Sequence, residues 1–339
     1  MKGWHASLGF ALAFPNKHVF PQQTAQTHNK LNLNIDTAAI MQYYKSNTNE
    51  IKDLVMRKSD YDAINQKIIS QLNEGVRPWC KPHNSGMGGM PLRSCGTPYR
   101  GINIILLWLA DYDNPYWLTF NTIQKLGGSV KGQKSPAKVV YASNVRKEND
   151  DGTKESYGFR KLSSVFNASQ VTGLPSHYYN KEKTFYNPDD KMADIDAQIA
   201  STGADIQTRD GTPCYIPAID QIRMPAFDDF RSAGDYYSTL LHELAHWTGA
   251  QSRLDRLDMK NKKGYAFEEL VAEISAAYLM ANLGISPQVR DDHAEYIGAW
   301  LSALDDDHKY IFDAASAAQK AVDFVMNEIS NAQHQLLTA

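Results

Sequence analysis

The chain has 339 residues, 42% apolar and 22% charged, which is the composition of a soluble globular protein long enough for two domains. Its three cysteines exclude a disulfide framework and fit a reducing, cytoplasmic compartment, and no apolar run reaches the length of a membrane span. The net charge of −3 hides a split: residues 56–175 carry 16 Lys+Arg against 9 Asp+Glu, residues 176–339 carry 14 against 26, so an anionic partner is expected for the front half only.

Residues 1–55 open on a short apolar run, Ala6–Phe14, that imitates a signal peptide poorly, and pass into a Gln/Asn/Thr-rich stretch from Gln22 to Asn49. They are expected to be flexible and to lie outside the folded core. From Asp60, Tyr61, Ile64, Ile68, Ile69 and Leu72 recur at helical spacing up to Asn73-Glu-Gly75. Cys80-x-x-His83 with Cys95 could be read as part of a zinc knuckle, but a fourth ligand is not apparent and chance spacing is the favoured reading. Tyr99–Asn103 opens an apolar helix, Ile104–Leu109. Tyr116–Phe120 reads as a strand, with Asn121 capping a short helix that ends at Gly127-Gly128. A basic loop, Lys131–Lys134, precedes the strand Ala137–Ala142. Asn144–Glu155 reads as a hairpin loop that returns through Tyr157–Phe166.

The front half is thus a small-sheet α+β unit with rings and cations interleaved. Single-stranded nucleic acid binds such surfaces by stacking bases on exposed rings and pairing phosphates with Lys and Arg. Tyr99, Arg100, Trp117, Lys131, Lys134, Tyr157 and Arg160 are the candidates.

Residues 176–205 form a polar connection into the second domain. Cys214–Ile219 and Gln221–Met224 read as a hairpin through Asp220, with Pro217 making the first an edge strand open to an extended peptide. Ser232 with Asp235 can cap a helix that Gly249 ends, and this helix carries His242-Glu-Leu-Ala-His246. Histidines at i and i+4 share a face and can ligate one Zn²⁺, while Glu243 is placed to act on metal-activated water. A third ligand is sought in the helix Tyr265–Leu279, where Glu268, Glu269 and Glu273 are candidates. Glu269 is the expected ligand, and Glu273 the acceptor for a ligating histidine. Asp291–Leu304 and Lys309–Ile329 are amphipathic. His293 and Tyr296 on the first of these are candidates to steady the oxyanion of a tetrahedral intermediate.

Several stretches resemble ArdC-type antirestriction proteins. Trp79-x-Lys81-Pro82, Thr97-Pro-Tyr-Arg-Gly-Ile-Asn103, Pro115-Tyr-Trp-Leu-Thr-Phe120, Leu126-Gly-Gly128, Val165-Phe-Asn167 and Gly173-Leu-Pro175 are similar to the family's N-terminal domain. Tyr236–Gly249, Ser252-Arg-Leu254, Phe267–Glu273, Asp292-His293, Tyr296 and Trp300-Leu301 are similar to its zincin-like C-terminal domain. The resemblance spans roughly residues 56–325, begins near Met56 and has no counterpart for residues 1–55; Cys80 and His83 stand where relatives are aromatic-rich.

The resemblance implies a plasmid- or phage-associated protein that protects incoming DNA from host restriction, with related front domains fused to conjugative primases. It implies single-stranded DNA as partner, and a metallopeptidase-like site at His242, Glu243 and His246. The expected organisation is a flexible extension (1–55), a single-stranded-DNA-binding domain (56–175), a connection (176–205) and a mainly helical zincin-like domain with an edge hairpin (206–339). Zn²⁺ is the expected metal, with another divalent ion such as Mn²⁺ as the alternative, and a host restriction-system protein is a candidate substrate. The competing function is a DNA-binding protective protein whose metal site is structural or vestigial. A zinc deaminase is disfavoured because its Pro-Cys-x-x-Cys pair is missing.

Overall fold

The computed structural model describes residues 56–79, 89–132, 135–148, 154–179, 192–257, 262–285 and 294–338, all within one compact unit, Lys52–Ala339. The N-terminal segment, Cys80, His83, Lys134 and His293 lie outside the described residues, as does the side chain of Tyr157. The fold is α+β, as the sequence patterns indicate.

Helix α1, Lys58–Asn73, buries Tyr61, Ile64, Ile68 and Leu72, the apolar positions that recur at helical spacing. It stops where Gly75 takes φ +74°. Trp79, just beyond, is fully buried and meets Trp300 edge-on at 5.7 Å between ring centres. Helix α2, Ile102–Trp108, is buried along nearly its whole length, and Gly101 turns the chain into it at φ +56°.

The first sheet has the order β1-β2-β5-β4, from β1 (Leu92–Arg93), β2 (Tyr116–Leu118), β4 (Ala137–Glu148) and β5 (Lys154–Asn167). Two boundaries differ from those the sequence indicates. Helix α3, Phe120–Lys125, is capped by Thr119, whose hydroxyl accepts the Thr122 N–H, so it starts before Asn121. Strand β4 runs six residues beyond Ala142 and β5 begins three residues before Tyr157, so the ladder reaches Glu148 opposite Lys154 and takes up most of the expected loop. At the outer edge of β4, the Asn103 side chain accepts the Val140 N–H (2.6 Å) and donates to the Val140 carbonyl (2.8 Å). A small ribbon of β3 (Ser129–Val130) and β6 (Val171–Thr172) closes a satellite cluster around Leu118, Ile123 and Leu174.

Part of the expected connection is structured. Helix α4, Ala193–Ala200, buries Ile195 and Ile199, and β7 (Asp205–Thr208) pairs in parallel with β9 (Gln221–Met224). Strand β8, Cys214–Ile216, is antiparallel to β9 and forms the edge of this sheet, as Pro217 indicates. Asp220 turns the hairpin at φ +51°. Four helices follow: α5 (Ala233–Thr248), α6 (Lys262–Asn282), α7 (Ala294–Asp306) and α8 (Tyr310–Thr338). One core runs through the described residues, joining Ile68, Trp79 and Ile104 to Leu270, Trp300 and Val325. None of the described helices is long and apolar enough to cross a membrane.

Candidate metal centre

Helix α5 begins at Ser232, whose hydroxyl accepts the Asp235 N–H at 3.1 Å, as the sequence indicates. Gly249 does end the helix, but not through a left-handed turn, since its φ is −80°. A Cβ there would lie 2.9 Å from the Leu257 side chain and 3.0 Å from the Arg256 guanidinium, so close packing is what requires glycine. Leu240, Leu241 and Leu244 sink the helix into the core and carry His242, Glu243 and His246 down with them, each less than 9% exposed.

The two Nε2 atoms lie 3.1 Å apart. Glu269 from α6 brings one oxygen to 3.4 Å from His242 Nε2 and the other to 3.6 Å from His246 Nε2. Donor atoms at tetrahedral angles and bonds of about 2.0–2.2 Å are about 3.3–3.5 Å apart, so this triangle has the size that a zinc-like ion requires. Three buried groups, His242, His246 and Glu269, thus form a candidate divalent-metal site.

The surrounding charges fit the same conclusion. Glu243, Glu268, Glu269 and Glu273 are all buried, and among the described residues Arg256 contacts Glu268 and Arg77 contacts Glu273. Arg256 forks onto both oxygens of Glu268 (2.8 and 2.9 Å), and Glu268 faces His246 Nδ1 at 3.1 Å. Glu273 faces His242 Nδ1 at 3.3 Å and Arg77 at 3.4 Å. Burial alone would push the His242 pKa down; Glu269 and Glu273 more than reverse this and raise it to about 9. Burial likewise works to raise Glu268 and Glu269, but their partners hold both below the ordinary carboxylate range: His246 and Arg256 for Glu268, the two histidines and Tyr265 for Glu269.

Glu243 is held from the other side. Its Oε2 accepts the Tyr215 N–H of edge strand β8 at 2.7 Å. Strand β8 is itself tied to α5 through Arg253, which lies 4.0 Å over the Trp247 ring, donates to the Trp247 carbonyl (2.6 Å) and pairs with Asp220. Tyr215 donates its hydroxyl to Asp220 at 2.8 Å.

The sequence patterns miss three participants. Tyr265, one turn before Glu269, is one of the groups that hold that carboxylate's pKa down, and the i, i+4 spacing is a signal that could have found it. Arg256 and Arg77 sit in turn and loop sequence with no periodicity to mark them. Tyr296 meets Tyr265, hydroxyl to hydroxyl, at 3.3 Å and stacks near Trp300, so the described contacts link it to the centre through Tyr265.

The candidates for nucleic-acid contact scatter. Tyr99 is 7% exposed and Trp117 3%, so neither ring is open to a base, and both expectations are corrected. They read as exposed because aromatic residues beside cations look alike whether they face solvent or core. Arg100 pairs with Asp323 of α8, while Gly101 is gripped by Gln319 and Tyr278. Lys131 is exposed and donates to the Ser169 carbonyl, and Arg160 is half-buried on β5. Among the described side chains of residues 56–175, the exposed rings are Tyr141, with Lys161 Nζ 5.4 Å from its centre, and Phe120.

Helix, third-ligand helix and edge strand together define a zincin-like unit, and comparison with known proteins agrees. Residues 193–317 match the model of a zincin-like metallopeptidase family, and residues 58–171 match the N-terminal domain of anti-restriction factor ArdC. The metal-free crystal structure of the antirestriction ArdC protein from the R388 plasmid superposes with a TM-score of 0.71 at 39% identity, covering 80% of this chain and 98% of that one. Its Mn(II)-bound structure gives 0.66 at 38%, with the same coverage. An uncharacterised protein, y4eC, of Sinorhizobium fredii is 33% identical over 291 residues, 80% of this chain and 93% of its own length. A DNA primase TraC of Escherichia coli is 34% identical over 296 residues, 80% of this chain, but the chain spans only 27% of that primase. The chain belongs to the ArdC antirestriction family.

Proposed function

We propose that this chain is an antirestriction protein of a mobile element that binds single-stranded DNA through residues 56–175 and hydrolyses peptide bonds with Zn²⁺ at a centre in residues 206–339. The observation that carries the hydrolytic half is the buried His242–His246–Glu269 triangle. The Mn(II)-bound state of the R388 plasmid protein makes Mn²⁺ the alternative ion.

In this reading His242, His246 and Glu269 hold the metal. When bound, the ion supplies Lewis acidity that lowers the pKa of a water and polarises the substrate carbonyl. Glu243 takes the proton from the attacking water and returns it to the leaving amine, and the Tyr215 N–H keeps its carboxylate turned to that task. Strand β8 is an open sheet edge beside Glu243, suited to pairing with an extended peptide, for which a host restriction-system protein is a candidate source. Tyr265, at 37% exposure and 3.3 Å from the Tyr296 hydroxyl, joins Tyr296 as a phenol able to donate to the substrate's carbonyl oxygen, with His293 as the further candidate. For DNA, Tyr141 with Lys161, Phe120, Arg100, Lys131 and Arg160 are contact groups that the burial pattern leaves available, beside the candidates Lys134 and Tyr157.

Protection of incoming DNA in cells tests the reading. Glu243→Gln should keep metal and DNA binding and lose protection. Full protection by that variant would refute the hydrolytic half and leave DNA coverage as the protective activity.

A further inference from the structure

Both histidines of the metal centre are backed by a glutamate and an arginine, but the two arginines come from different halves of the chain. Behind His246 stands Glu268, and behind it Arg256, from the turn just after α5. Behind His242 stands Glu273, and behind it Arg77, 196 residues earlier and inside the region that matches the ArdC N-terminal domain. We propose that Arg77 is a positioning residue of the metal centre, holding the Glu273 carboxylate aimed at His242 so that His242 presents Nε2 to the metal. This rests on reading His242, His246 and Glu269 as ligands.

The geometry divides the two oxygens of Glu273. Oε1 lies 3.3 Å from His242 Nδ1, and Oε2 lies 3.4 Å from an Arg77 guanidinium nitrogen. The side chains are 3% exposed at Glu273 and 5% at Arg77, so water does not substitute for either partner. Without Arg77 the Glu273 carboxylate loses the contact that holds Oε2 and can turn, which takes Oε1 away from Nδ1. The imidazole then loses the carboxylate that backs its ring orientation.

Arg77 is also fixed in place. The Val76 N–H closes onto the Gln71 carbonyl at the end of α1 (2.8 Å), and fully buried Trp79 anchors the chain two residues on. At this burial the guanidinium has no access to phosphate. Its contact is internal, and the positive charge belongs to the metal centre's account rather than to the DNA-facing surface.

The test uses the full chain. Arg77→Met, Glu273→Gln and their combination are compared with wild type by competing a chromophoric chelator for Zn²⁺, and by the rise in Tm on adding Zn²⁺. Folding of each metal-free variant is checked by circular dichroism. Arg77→Met should weaken Zn²⁺ binding about 10- to 100-fold and shrink the Tm rise, and the combination should bind no more weakly than Glu273→Gln alone. Should Arg77→Met fail to fold, Arg77→Gln, which keeps a hydrogen-bond donor without the charge, is measured in the same way. Wild-type Zn²⁺ affinity in either folded variant, with lowered Tm in the metal-free state, would mean that the pair merely holds the fold together and would overturn the proposal. The His242→Ala/His246→Ala variant separates the premises: unchanged Zn²⁺ stoichiometry there would defeat the metal-site reading itself, whatever Arg77 does.

Discussion

Replacing Arg256 by methionine keeps most of the side-chain volume and removes one guanidinium from the back of the metal centre. That group forks onto Glu268, donates to the Ala245 carbonyl at 2.7 Å and to the Thr248 hydroxyl at 3.2 Å. Glu268, 1% exposed, would be left with an imidazole as its remaining described partner. Breaking a buried pair by removing one charge costs about 3–5 kcal/mol, because the other stays desolvated. At about 2–4 °C per kcal/mol for a domain of this size, Tm should fall by about 6–20 °C. The assay is urea unfolding with chelator present, so that metal binding does not enter the comparison. Neutralising both partners in Arg256→Met/Glu268→Gln should recover at least about 1 kcal/mol of the loss, since no lone charge then remains buried. A loss below about 1 kcal/mol for Arg256→Met, or a double variant as unstable as the two singles summed, would refute the reasoning.

Other expectations follow from the same geometry. Gly249→Ala should destabilise by about 1–3 kcal/mol in spite of alanine's better helix propensity, because its Cβ meets Leu257 and Arg256 at 2.9–3.0 Å; equal or raised stability on thermal unfolding would contradict this. Tyr141→Ala should weaken single-stranded DNA binding by about 1–3 kcal/mol at constant salt, measured by fluorescence anisotropy, and unchanged affinity would remove this ring from the contact surface. Trp117→Ala should instead lower stability by about 3–5 kcal/mol, and a DNA defect at unchanged Tm would overturn its assignment to the core. Asp220 is held below the ordinary carboxylate range, first by its hydrogen bond from Arg253 and then by Tyr215. Its folded pKa is depressed, so its contribution is present above the unfolded value of 3.8 and lost as pH falls through the folded pKa. Half exposure keeps this below about 1 kcal/mol, and Asp220→Asn should flatten the acid side of the stability–pH curve by that amount; an unaltered acid limb would exclude the linkage.

How far the sequence reaches depends on the range of the interaction. The His242–His246 spacing, the Ser232 cap and the Glu269/Glu273 face are all set within one or two helical turns, and the structure brings these groups together as the spacing requires. The α1 and α2 stripes were legible for the same reason. Glu268 was legible only as a charge: its helical position did not reveal that Arg256 would fold back over it. Arg77 shows the limit more sharply, since a contact across 196 residues leaves no local period. Tyr99 and Trp117 failed in the opposite way, because residue type identifies a ring but not which side of a sheet it faces. The hairpin strands outran their expected ends because polar composition marks a loop no better than the far end of a two-stranded ladder.

The Asn103 amide offers one more consequence. By matching both the donor and the acceptor of Val140, it acts on the outer strand as one rung of a neighbouring strand would, while having no further rungs to offer. An aspartate could accept but not donate, and a leucine could do neither, so the position tolerates little besides a carboxamide. At that point the sheet cannot recruit a strand from another molecule, which is the commonest way an open edge turns into an aggregate. A residue inside a stretch that resembles DNA-binding sequence thus serves to keep one copy of the protein from zipping onto the next.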